Sequence, residues 1–241
     1  MLKFGGSPVI YDLDPYTDSS VQMHPLGALA VTDDGRKFRY AKAVASTVAG
    51  DCYSSAGQDS QFQSMAVNAI EPIGETEIGV TNGTTTVAAS DFVEGYLGIS
   101  SSTGIGQGGK ILSHGTGTSG ATIAYKIDRP LATALATTSK VTVIKNPYDD
   151  VIIQAVTPVA STAGIAPCII ATSYYGWIQT GGPAFALWDA SVSAVDTLGV
   201  SPSTTTAGAV RVAAAGSEII GRSMQVVPVS AYVAPVFLQI D

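Results

Sequence analysis

Charge is what this chain has least of. Charged residues make up 13% of its 241 positions, about half the usual ~25% of a soluble domain. Thr, Ser, Ala and 26 glycines stand in their place. A surface of such small groups costs little to desolvate and loses little side-chain entropy when a partner covers it. It suits a protein that lives in an assembly; a stable extracellular β-protein is the plainer alternative. The charge that remains is acidic, a net −7. Phosphate binding needs clustered Lys and Arg, so nucleic acid is not expected as the main partner. The basic cluster Arg36, Lys37, Arg39 and Lys42 is interleaved with Phe38 and Tyr40 and reads as the wet face of a strand.

Cysteine is almost missing. Cys52 and Cys168 are too few for a disulfide framework and sit in none of the zinc-binding spacings. Two buried thiols and a single bridge both stay open. No run reaches the ~18 apolar residues of a membrane-spanning helix, and no membrane partner is expected. The opening Met1-Leu2-Lys3-Phe4-Gly5-Gly6 lacks the charged-then-apolar layout of a secretory signal, so the protein is expected to be made and kept in the cytosol. A long helical period is missing too. At 46% the apolar fraction is ordinary, so disorder is not the default.

What is present is short and β-like. Residues 1–27 read as an extended arm, because Pro8, Pro15, Pro25 and Gly5-Gly6 interrupt any regular element. That arm nevertheless carries Leu2, Phe4, Val9, Tyr11 and Tyr16, anchors expected to lie on its own domain or on a neighbouring subunit. Strands at 28–31 and 36–43 flank Asp33-Asp34-Gly35, a hairpin signal. Asn82-Gly83 predicts a type I′ turn between strands at 76–81 and 84–88. Further strands are expected at 92–99, 109–112, 121–127 and 140–144. After a boundary at Asn146-Pro147 come 151–156, 168–173, 177–180, 184–187, 209–213, 218–220, 223–229 and 236–240. The stretch 189–206 reads as loop, and 61–69 fits either a short helix or a strand. Many short strands without a helical period mean β-sandwich or barrel-like domains, here the arm 1–27, one β domain at 28–147 and another at 148–241.

Candidate chemistry is thin. Gly104-Ile105-Gly106-Gln107-Gly108-Gly109 spells a dinucleotide fingerprint, but that site needs a strand before it and a helix after it. Polar Ser100–Thr103 precede it and no helix of useful length follows, so a loop or bulged hairpin is expected, and no cofactor. His24 and His114 read as loop histidines, and the G-x-S-x-G elbow is missing. The pairs Asp12/Asp14, Asp33/Asp34, Glu75/Glu77 and Asp149/Asp150 look like solvated turns and edges rather than carboxyls facing across a cleft. Asp149/Asp150 or Asp12/Asp14 would be the places for Ca²⁺, without an EF-hand loop; no metal is expected. Tyr174, Tyr175 and Trp177 form the densest aromatic cluster, read first as core, then as a subunit or capsid interface, and last as a sugar contact. The chain is expected not to be an enzyme.

Several stretches, in order, resemble a family of head structural proteins of tailed bacteriophages. They are Leu26-Gly27, residues 34–43, Gly95-Tyr96-Leu97 with 106–114, and Asp128-Arg129-Pro130-Leu131 leading to Lys145-Asn146-Pro147-Tyr148. The later ones are residues 175–180, Ile219-Ile220-Gly221-Arg222 and the closing 235–241. A Gly-Arg strand, a polar gap and a Val-Phe-Leu strand also look like the end of small head-decoration domains. The resemblance implies a capsid decoration, or cement, protein on the outer capsid surface of the virion, assembled in the host cytoplasm. Its partners would be the major capsid protein and further copies of itself, as trimers rather than dimers. Rival readings are a tail, neck or fibre component, and a module for host-surface glycans using Tyr174, Tyr175 and Trp177.

Overall fold

A computed structural model describes residues 14–192 and 199–241. The arm residues Leu2, Phe4, Val9 and Tyr11 lie outside the described residues. The described chain is all β. It begins with β1 (Leu29–Val31), β2 (Lys37–Lys42) and β3 (Cys52–Ser54). Next come β4 (Met65–Ala66), β5 (Glu77–Thr81), β6 (Tyr96–Ser101), β7 (Gly108–His114), β8 (Thr122–Ile127) and β9 (Lys140–Ile144). It closes with β10 (Ile152–Ile153), β11 (Thr162–Ile165), β12 (Tyr175–Trp188), β13 (Gly199–Pro202), β14 (Val210–Val212), β15 (Gly221–Ser223) and β16 (Tyr232–Gln239).

These strands form two compact units, divided differently from the expected 28–147 and 148–241. One takes the described residues up to Ala56 together with those from Pro147 onward, and the other is Gly57–Asn146. The boundary at Asn146-Pro147 stands, but residues 28–54 belong with the C-terminal strands. β2 pairs along β12, from Tyr175 opposite Lys42 to Gln179 opposite Phe38, and β3 pairs with both β10 and β11. From residue 14 on, the arm takes the first of its two expected places and lies on its own domain, the first unit. Ser19 exchanges two backbone hydrogen bonds with Tyr175, the Asp18 carboxylate accepts the Ala171 N–H at 2.8 Å, and Leu26 is buried.

In the first unit β12 is the spine. The expected turn at Gly181-Gly182-Pro183 is a bulge inside one long strand: the register with β2 shifts between Gln179 and Gly181, and Gly182 takes φ +79°, a conformation that favours glycine. The first half of β12 is covered on both faces. Trp177 packs with Ala28, Ala30, Phe38 and Tyr40, while Ile178 packs with Ala41, Tyr53, Ala163 and Ile170. Its second half pairs with β16, from Gly181 opposite Gln239 to Trp188 opposite Tyr232. The ladders β12–β14, β14–β13, β13–β15, β15–β16 and β16–β12 close a five-stranded ring around Trp188, Val200, Val210, Ile220 and Val236. β13 falls inside the stretch read as loop. Conversely, residues 168–173 form no strand, and 223–229 keep only the end of β15 and an isolated bridge at Val227.

The second unit is an antiparallel sheet in the order β4-β9-β6-β7-β8-β5. A bridge between Val67 and Val80 brings its two edge strands together, making a six-stranded barrel and removing the open edges. Within it β9-β6-β7-β8 is a Greek key. The interior holds Met65, Ile78, Leu97, Ile111, Ile123, Tyr125 and Val141 among others, the inward half of each alternating strand. Residues 61–69 resolve into a 3-10 turn at Ser60–Phe62, capped by Asp59, and then β4. The Asn82-Gly83 hairpin does not form, since β5 pairs with β8 instead. Asn82 is buried and its amide donates to the carbonyls of Thr85 and Thr118, at 2.8 and 3.0 Å, tying two loops together.

Candidate functional site

The β12–β16 ribbon is apolar on both faces. Inward lie Ala184, Ala186, Trp188, Ala234, Val236 and Leu238, all buried. Outward, Pro183 stands opposite Phe237, Phe185 opposite Pro235, and Leu187 opposite Val233. Phe185 is 65% exposed, Val233 43% and Phe237 41%. A strand pair with one wet face alternates apolar with polar residues, and apolar character on both faces belongs to strands covered on both. None of these six outward residues is charged. Covering Phe185 alone would contribute on the order of 1–2 kcal/mol.

A cleft of about 360 Å³ runs beside this face, lined by Tyr16, Arg36, Ala49, Ile165, Pro167, Phe185 and Val233. Gly50 shapes its floor. Its N–H donates to the Ala166 carbonyl and its carbonyl accepts the Leu187 N–H, both at 2.8 Å. At φ +88° a side chain here would be strained, and its Cβ would meet Val233 at 3.5 Å. The chain arrives at this cleft from its N-terminal side: Pro15 is buried, its carbonyl takes a weak bond from the Cys168 thiol at 3.6 Å, and Tyr16 is 62% exposed.

For Trp177 the core reading stands and the interface reading is corrected. It is buried, with its ring centroid 5.0 Å from that of Tyr40 and 5.3 Å from that of His24, so it is core and is not free to meet a partner. Tyr174 is exposed, on the loop before β12. Phe185, Val233 and Phe237 were not singled out from the sequence. Their signal lies in the unbroken apolar runs of 183–188 and 233–238, which by themselves look like short buried strands.

The candidate chemical groups have structural partners. His114 Nε2 accepts the Phe92 N–H at 3.0 Å, which leaves the proton on Nδ1 to donate to the Gly115 carbonyl at 2.8 Å. The Gly104–Gly109 run is the turn from β6 into β7; a Cβ on Gly108 would stand 2.2 Å from the Leu97 carbonyl oxygen. Asp150 and Asp149 face the Lys42 ammonium at 2.9 and 3.7 Å. Glu75 accepts the N–H groups of Thr76 and Glu77, and Asp34 pairs with Arg36. Cys52 and Cys168 are both free. Burial pushes each thiol up, helped at Cys52 by Glu218 and Asp51 and at Cys168 by Asp18 and Asp14, the opposite of an activated cysteine. Among the described residues no three His, Cys, Asp or Glu side chains converge as a metal site, and no helix is long and apolar enough to cross a membrane.

The fold and this face define an all-β chain with an exposed, uncharged apolar strand face. Comparison with family models, with curated proteins and with solved structures gives no match.

Proposed function

We propose that this chain is a bacteriophage capsid decoration protein. It binds the outer capsid lattice in many copies and stabilises the head by bridging capsid subunits. The observation that carries the reading is the uncharged, exposed face of Phe185, Val233 and Phe237, beside which Tyr16 of the arm stands. Exposed apolar patches rimmed by polar groups mark interaction sites. The low charge of the whole chain and its resemblance to phage head proteins point the same way. The action is passive, through apolar contact and added strand edges, and uses no cofactor. Leu2, Phe4, Val9, Tyr11 and Tyr16 supply the arm's anchors. The glycan-binding alternative is weakened by the burial of Trp177.

Cryo-electron microscopy of the virion that encodes this chain tests the reading. Many copies on the outer capsid are expected. A few copies at the tail or neck, or none, would overturn it. In co-sedimentation with undecorated capsids, Phe185→Asp is expected to lower binding at least tenfold while the circular dichroism spectrum stays unchanged.

A further inference from the structure

We propose that the cleft beside Phe185 seats the N-terminal thirteen residues of a second copy of this chain, so that copies are joined by exchanged arms. The inference rests on the assembly role proposed above: the face joins copies to one another, and joined copies hold the lattice through an avidity that single copies lack.

The structure supplies an apolar acceptor and the sequence an apolar donor. The acceptor is the cleft with its adjoining face, walled by Pro167, Pro183, Phe185 and Val233. The donor is residues 1–13, which carry Leu2, Phe4, Val9, Ile10, Tyr11 and Leu13 against only Lys3 and Asp12 as charges. An extended segment of this kind fits a shallow cleft along a strand, where side chains drop into pockets and the backbone adds hydrogen bonds. Arg36 stands at the rim but is paired with Asp34, so the seating rests on apolar contact rather than on Asp12, the single acid among those thirteen residues.

The root of the donor and the acceptor share one rim, because Tyr16 lines the cleft. Tyr16 takes the near end of its own cleft, while Phe185, Val233 and Phe237 remain exposed. Two copies brought together at these rims can pass arms across by a short path. Thirteen extended residues reach roughly 43 Å, ample for the crossing. Exchange buries donor and acceptor of both partners at once and closes on a fixed number of copies.

The test is size-exclusion chromatography with light scattering on four samples: the full chain, the chain lacking residues 1–13, full-length Phe185→Asp, and an equimolar mixture of the two variants. Circular dichroism of each variant checks the fold, and position 185 is exposed enough to accept Asp. The full chain is expected to be oligomeric and each variant alone monomeric. The mixture is expected to regain a one-to-one complex, since one variant keeps the cleft and the other keeps the arm. A monomeric full chain, an oligomer that survives loss of residues 1–13, or a mixture that stays monomeric would each overturn the exchange. No capsid is present in these samples. A chain that decorates capsids but is monomeric alone defeats the exchange and leaves the decoration reading standing; arm-dependent oligomers that ignore capsids do the reverse.

Discussion

Asp51 is a carboxyl in the wrong solvent. It is buried at 6% exposure, where Gly208 closes over it, with a Cβ at that glycine standing only 2.8 Å from Asp51 Oδ2. Desolvation raises its pKa above the ordinary 3.8. The sign follows from linkage: a folded-state pKa above the unfolded one means that the folded chain binds the extra proton, so stability falls as pH rises through that window. At neutral pH the charged carboxylate opposes the fold. Asp51→Asn removes the charge with almost no change of shape and should raise Tm at pH 7, by roughly 2–4 °C if it relieves about 1 kcal/mol. The gain should shrink as pH is lowered, as the native side chain itself takes up the proton. Paired melting curves of both proteins at neutral and acid pH check this; a lower Tm for the variant at pH 7 would show that the carboxylate is needed as an anion.

On the β6–β7 ladder Gly98 and Gly108 stand directly opposite each other, yet they make opposite demands. A Cβ on Gly98 meets nothing within 4 Å, whereas one on Gly108 collides with the Leu97 carbonyl oxygen and the Gly98 Cα. Gly98→Ala should therefore stabilise by about 0.4–1 kcal/mol through the unfolded chain, and Gly108→Ala should destabilise by about 1–3 kcal/mol. Urea titrations of the two variants give the sign of each. The strands around this hairpin show what can be read in advance. Alternation placed β8 and β9 within a residue of their bounds, because their inward Ile123, Tyr125, Val141 and Val143 face one closed core. The Asp34-Gly35 turn was legible because its chemistry is local: Thr32 and Arg36 both bond Asp34. Asn82-Gly83 carried an equally strong local signal, but the long-range ladder from β5 to β8 won. β12 was divided in two because Gly-Gly-Pro usually ends a strand. β11 and β13 were missed, since four residues that include Gly164 or Pro202 carry no period. The exposed apolar face is illegible for a related reason: a continuous apolar run looks like core until pairing shows that one side is exposed.

The whole molecule is one β unit inserted into another. The chain leaves the first unit after β3 and returns at β10, and these strands pair, with Ser54 opposite Ile152. An insertion whose two ends are neighbours in a ladder leaves its host's strands intact when it is removed. Each unit also has its own interior. The Phe62–Val143 cluster lies wholly within Gly57–Asn146, and the clusters around Trp188, Ile178 and Trp177 lie wholly outside it. At about 90 residues the insert exceeds the ~60 at which single domains become marginal. Residues 57–146 made alone should fold and melt cooperatively. So should the remainder, with Ala56 joined to Pro147 through a few Gly and Ser residues, as judged by circular dichroism and thermal melts. The shortened chain keeps Tyr16, Phe185, Val233 and Phe237, so it should also still bind capsids. If it folds but no longer binds, the adhesive surface belongs to the inserted barrel, and the exposed ribbon of β12 and β16 has another purpose.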